Sequence, residues 1–171
     1  MKLTVREIVV FGMLGALMFV SKLLMDALPN IHLLATLTVV YTVVYRKKAL
    51  YPIYIYVLLL GLVNGFSLWW IPHLYLWTIL WGVVMLLPKT MSRRTSAIVY
   101  AIVCAMHGFL YGTLYAPFQA LAYGLSFSAM ITWIVAGLEF DLIHGIGNLV
   151  MSILILPMAD VFRILEKQKM S

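Results

Sequence analysis

Residues 117–137 read PFQALAYGLSFSAMITWIVAG. The segment is oily and long enough to cross a bilayer, yet it is studded with aromatic and small residues, and its placement sets the parity of the whole chain. On either side lie two more uniformly apolar stretches, about 95–116 and about 138–162. Further out, breaks at Pro29-Asn30, Arg46-Lys47-Lys48, Trp70-Ile71-Pro72-His73 and Pro88 through Arg94 delimit four more, at about 7–28, 31–46, 49–67 and 74–88. A spanning helix needs roughly 20 apolar residues, fewer where neighbours enclose it. Six spans result if 117–137 is not one of them, and seven if it is.

The basic residues choose between these counts. With a cytoplasmic N-terminus, six crossings put Lys2, Arg6, Arg46, Lys47, Lys48, Lys89, Arg93, Arg94, Arg163, Lys167 and Lys169 on one side and leave only Lys22 elsewhere. A seventh crossing would move the basic tail outside. Cytoplasmic loops carry an excess of Lys and Arg. The expected fold is therefore an all-α integral membrane protein with six transmembrane helices and both ends inside. It forms a single transmembrane domain, multi-pass in a bacterial cytoplasmic membrane. Residues 117–137 are expected as an external or re-entrant segment, where irregular backbone is tolerated if it lines a cavity.

Composition agrees. The chain is 64% hydrophobic and 11% charged, with a mean hydropathy of +1.03, too little polar surface for a soluble domain of 171 residues. The net charge of +6 does not point to nucleic acid, because the basic residues come in short clusters between apolar runs. Cys104 is the sole cysteine, which excludes an internal disulfide and a thiolate metal site. The N-terminal MKLTVREIVVFGMLGALMFV has the outline of a signal peptide, but the run continues to about Leu28 without a small-residue cleavage site, so it reads as a retained first span. No repeat, inter-domain linker or G-x-x-x-x-G-K-[ST] phosphate loop is present.

Polar residues inside oily helices mark where chemistry could sit. In GLEFDLIHGIGNLV, residues 137–150, a helical projection puts Asp141, His144, Gly145, Asn148 and Ser152 on one face, with Glu139 opposite. Ionisable groups at membrane depth are costly and face a bundle interior, a partner or water. The stripe is thus a candidate ligand-binding wall. The plainer alternative puts Glu139 and Asp141 in the headgroup layer and has His144 and Asn148 bond across helices. A second stripe, Tyr100, Cys104, His107, Gly108, Tyr111 and Tyr115, suits a planar solute held by stacking, or equally a packed aromatic core. Asn64, Trp69, Trp70, His73, Tyr75, Trp77, Trp81 and Gln119 add aromatic and polar groups expected near the outer side, some of them as interfacial anchors. Lys22 and Asp26, four apart, are expected to pair. Gly12 and Ala16 form a small-x-x-x-small pair that lets another helix approach, within this chain or from a partner. The histidines at 32, 73, 107 and 144 lie scattered over four helix ends or faces, and no catalytic constellation emerges. An enzyme is therefore not expected, nor is any cofactor or metal.

About 170 residues, six spans with both ends inside, Gly12-x-x-x-Ala16 in the first helix, and the run YAPFQALAYGLSF…GLEFDLIHGIGNLVMSILILP together resemble the substrate-binding S components of energy-coupling factor (ECF) transporters. The most specific part covers residues 115–157; the family usually has alanine at both small positions, and glycine at 12 preserves the smallness. The resemblance implies capture of a vitamin or related micronutrient from outside, followed by docking of the first helix on a membrane-embedded T component that carries two ATPase subunits. It implies that Gly12 and Ala16 dock on the partner, and that Asp141, His144 and Asn148 line the pocket with the tyrosines of the fifth helix. Pro29 to His32 and residues 117–137 would be its lid. Pyrimidine-, pyridine- or pterin-type vitamins and purine-like bases suit an aromatic pocket with Glu139 and Asp141 near its mouth. Two competing readings remain: a structural scaffold of the cell-shape machinery similar to MreD, which would need no solute pocket, and a small membrane enzyme.

Overall fold

The computed structural model of the chain describes residues 3–28 and 30–167; Lys2, Pro29 and Lys169, used in the expectations above, lie outside the described residues. Eight α-helices account for most of the described chain: α1 Val5–Leu24, α2 Leu34–Tyr45, α3 Leu50–Asn64, α4 His73–Leu86, α5 Arg93–Phe109, α6 Tyr111–Tyr123, α7 Phe127–Met151 and α8 Ile155–Lys167. No strand occurs among the described residues. Among the described residues, four helical stretches are long and apolar enough to cross a membrane: Val5–Leu24, Leu68–Leu86, Arg93–Tyr123 and Phe127–Lys167.

Local chemistry explains the ends. Thr4 caps α1 through a capping box with Glu7, Ser92 accepts the Thr95 N–H at the start of α5, and Ser126 accepts the Ala129 N–H at the start of α7. Gly65 and Gly124 end α3 and α6 at φ 87° and 64°, conformations that cost glycine little. Between α7 and α8 the chain tightens into a 3₁₀ turn over Ser152–Leu154. Pro157 follows it, lacks the N–H that the Ile153 carbonyl would otherwise accept and crowds that carbonyl.

The expected bounds shift accordingly. Residues 117–137, expected as an external or re-entrant segment, are largely helical: they are the end of α6, a short turn and the beginning of α7, so the segment is the apex of a helical hairpin. The backbone ladder is interrupted between α5 and α6: the Leu110 N–H stays on the Met106 carbonyl at 3.0 Å and the Leu114 N–H on the Leu110 carbonyl at 2.8 Å, but between them the Gly112 N–H turns to the Asp141 carboxylate on α7. The stretches expected as spans at 31–46 and 49–67 form helices of only 12 and 15 residues. A 12-residue helix is about 18 Å long. In α2 every residue from Leu34 to Thr42 is buried, because α4, α5, α8 and α1 surround it. An all-round apolar helix of this kind is a core element.

The tightest helix crossings use glycine. On α1 the inward residue is Gly15, whose added Cβ would lie 2.5 Å from Ile55 Cγ2 and 2.9 Å from the Pro52 carbonyl oxygen on α3. Gly12 has nothing within 4 Å of that position and, with Ala16, belongs to the outer side of α1 beside exposed Val9, Met13, Leu17 and Val20. Where α5 crosses α7, a Cβ on Gly108 would stand 2.7 Å from Gly145 Cα and 2.8 Å from Gly145 N.

The basic residues gather at one end of the bundle. Lys48 pairs with Glu7, Arg93 and Arg163 both bind Asp160, and the Tyr45 hydroxyl reaches Glu166 at 3.4 Å. Arg46 adopts φ 53°, a strained left-handed conformation for a residue with a side chain. It is held by its guanidinium on the Met85 carbonyl at 3.1 Å and by the Trp81 indole N–H on its own carbonyl at 3.1 Å. Trp81, expected with the outer aromatics, therefore belongs to this basic end.

Candidate functional site

At the other end, α7 brings its polar stripe inward: Asp141, His144, Gly145, Gly147 and Asn148 are buried. Asp141 meets α6, accepting the Gly112 N–H at 2.9 Å on Oδ1 and 3.1 Å on Oδ2. Only glycine permits this approach, since a Cβ at 112 would lie 2.6 Å from Asp141 Oδ2.

Around His144 the rings converge from four directions. His32, before α2, lies edge-on to His144 with centroids 4.8 Å apart, and Tyr111 lies 4.8 Å from the same imidazole. Trp77 on α4 sits 6.3 Å from His32, 5.5 Å from His107 and 6.2 Å from Tyr111. Farther along α6, Tyr115 stacks on Trp133 of α7 at 5.9 Å, with the ring planes 19° apart. Three histidines that look scattered in the sequence thus share one cluster. Among the described residues, no three His, Cys, Asp or Glu side chains are placed to hold a metal.

Three cavities adjoin this cluster, and Tyr111 lines all of them. One, of about 410 Å³, lies between α6 and α7 and is lined by Tyr115, Gln119, Trp133, Phe140, Asp141 and His144, with Trp69 and Asn30 at its edges. A second, of about 400 Å³, is lined by Lys22, His32, Tyr56, Asn64, His73 and Trp77. The third, of about 220 Å³, runs beneath the α1–α2 connection past Lys22, Asp26, His32 and His144. The connection rests on α7, where a Cβ on Gly147 would lie 3.2 Å from Ile31 Cγ1 and 3.6 Å from the Asn30 carbonyl.

Buried polar atoms without a hydrogen-bond partner concentrate here. They include His32 Nδ1, His73 Nδ1, Trp77 Nε1, His107 Nδ1, His144 Nε2 and Asn148 Oδ1. An unsatisfied buried polar group costs about 1–3 kcal/mol, so the four of these on residues that line the cavities, His32, His73, Trp77 and His144, mark a place that something else completes.

Of the residues expected at a site, Asp141, His144, Tyr111, Tyr115 and Gln119 line the first cavity and Trp77 and Asn64 the second. Others are placed elsewhere. Glu139 is exposed on the far side of α7. His107 is buried behind Trp77, with Nε2 against the Leu76 carbonyl at 3.1 Å. Asn148 lies between α5 and α7, its amide donating to the Cys104 carbonyl at 3.1 Å. Lys22 pairs with Asp26 as expected, and it also lines two cavities. Trp133 is not singled out from sequence, since in a run read as an external segment an aromatic residue carries no facing information; Phe140, in the last span, is passed over because the polar residues alone define the stripe.

Together, fold and cleft define an all-helical protein with four helices of membrane-crossing length, enclosing a buried aromatic and imidazole-lined cleft at one end. No protein-family profile, curated protein or solved structure matches the chain.

Proposed function

We propose that the chain is the solute-capturing subunit of an ECF-type importer in a bacterial cytoplasmic membrane. In this reading the chain crosses six times with both ends inside, α2 and α3 counting as short crossings enclosed by their neighbours. It binds a vitamin or related micronutrient at the outer side and docks through the Gly12/Ala16 face of α1 on a T component with two ATPase subunits. The observation that carries the reading is the convergence of unpartnered buried polar atoms of His32, His73, Trp77 and His144 on adjoining cavities, at the end of the bundle away from the Lys48, Arg93 and Arg163 ion pairs. Pockets of this size, with apolar walls and a few polar groups, are what small-molecule sites look like. The open α1 face supports the docking half, because a small residue with nothing above it leaves room for a partner helix.

The test is gentle extraction followed by mass spectrometry of any retained molecule, with thermal-shift screening against a vitamin panel. A true ligand at a hundred times its Kd stabilises by about 2.7 kcal/mol. A protein that is always empty and is stabilised by no member of the panel defeats the reading and favours a scaffold. Gly12→Trp is expected to abolish co-purification with T and ATPase subunits while leaving ligand stabilisation intact.

A further inference from the structure

The chambers on the two sides of Tyr111 differ in chemistry. Resting on the solute-capture reading above, we infer that the cleft takes a two-ended solute: a planar nitrogen heterocycle bearing N–H or ammonium donors in the Asp141 chamber, joined to an acceptor arm, a carboxylate or amide, in the chamber of Lys22 and Trp77.

In the first chamber Asp141 is the sole ionisable acid, and no lysine or arginine lines it. Its two oxygens share one donor, the Gly112 N–H. A carboxylate offers about four acceptor positions, so capacity remains, directed at a space walled by the stacked Tyr115–Trp133 pair and by Phe140. Flat walls and an unspent acceptor select a flat donor, and a positively charged one gains further from the ring faces.

The second chamber has the opposite bias. Lys22 and Trp77 can only donate, and no carboxylate lines this space. The carboxylate that pairs with Lys22, Asp26, opens onto the adjoining small cavity instead. Trp77 is 1% exposed, and its single polar atom, Nε1, has no partner. Nδ1 of His32 and of His73 is likewise buried and unpartnered. An acceptor on the solute satisfies the indole N–H, and neutral imidazoles adapt to it by tautomer. Tyr111 and Trp69 line both chambers, and the two ends of the solute would join beside them.

Two probes separate the chambers: diaminopyrimidine for the donor end and hippurate for the acceptor end, each titrated against the full chain in mild detergent by thermal shift. Each is expected to stabilise alone. Asp141→Asn is expected to weaken diaminopyrimidine about tenfold or more and to leave hippurate within about twofold; Trp77→Phe is expected to do the reverse. On the unmodified protein, unsubstituted pyrimidine, which lacks the donors, is expected to bind at least about tenfold more weakly than diaminopyrimidine, a comparison that requires no variant to fold. Equal affinity for the two pyrimidines, or variants that weaken both probes alike, overturns the inference. So does a retained natural molecule carrying only one kind of polar end, although solute capture then stands. An empty protein that neither probe stabilises overturns both.

Discussion

Replacing Gly108 with alanine sets two effects of opposite sign against each other. Alanine is a better helix former than glycine by about 1 kcal/mol, so a position with open space above it gains stability. At Gly108 the new methyl would stand 2.7 Å from Gly145 Cα and 2.8 Å from Gly145 N, where carbon atoms settle at about 3.5–4.0 Å. The obstacle is backbone, so no side chain can swing aside, and α5 and α7 must part by the best part of an ångström. Overpacking of this kind costs about 1–3 kcal/mol. Separation also stretches the 3.1 Å bond from the Asn148 amide to the Cys104 carbonyl, adding about 1 kcal/mol. The net expectation is a loss of about 1–3 kcal/mol, measured by unfolding in mixed micelles with circular dichroism. Gly82→Ala on α4, with nothing within 4 Å, is the matched control and is expected to be neutral or stabilising. Should Gly108→Ala stabilise the protein as much as the control does, the close crossing of α5 and α7 is wrong.

Three further expectations follow from the packing. Asn148→Ala removes an interhelical bond rather than a wall of the cleft, so stability is expected to fall by about 1–2 kcal/mol while the affinity of any ligand of the cleft changes less than twofold; a large affinity loss at unchanged stability would return Asn148 to the site. Cys104 is fully buried, and a maleimide is expected to label it only on unfolding, so rapid labelling of the native protein would contradict the packing of α5. For the proposed orientation, a cysteine introduced at Arg163 is expected to resist impermeant reagents added to intact cells and to react in inverted vesicles, and labelling from outside would reverse the topology.

How far the sequence reaches depends on the kind of signal. The polar stripe of α7 is legible because a helical period sorts Asp141, His144 and Asn148 from Glu139, and burial follows that sorting. Projection gives direction but not depth. Asn148 and His107 face inward and yet pack behind the cleft, a distinction set by which helices cross where. For the small pair Gly12/Ala16 spacing likewise gives no partner: the intrachain contact uses Gly15 and leaves Gly12 open. Residues 117–137 are set outside the span count by the parity of the basic residues, which says nothing of their conformation, but Ser126 and Gly124 are local signals of a turn between two helices. The gathering of His32, His107 and His144 is long-range and leaves no trace in spacing.

The hairpin of α5/α6 and α7/α8 has a consequence for its surroundings. Run straight, the 31-residue arm Arg93–Tyr123 would be at most about 46 Å long, against about 30 Å of hydrocarbon. Tilted by the usual 20° or so, it would still project up to about 43 Å along the membrane normal, as much as the bilayer with its headgroups. In the proposed orientation the tip, with exposed Leu121, Tyr123 and Phe127, would stand among the phospholipid headgroups, while Gln119 and Trp133 just below it line the cavity. Under the proposed function, bilayer thickness and headgroup packing would then act directly on one wall of the cleft, and lipid composition would become a variable of ligand affinity.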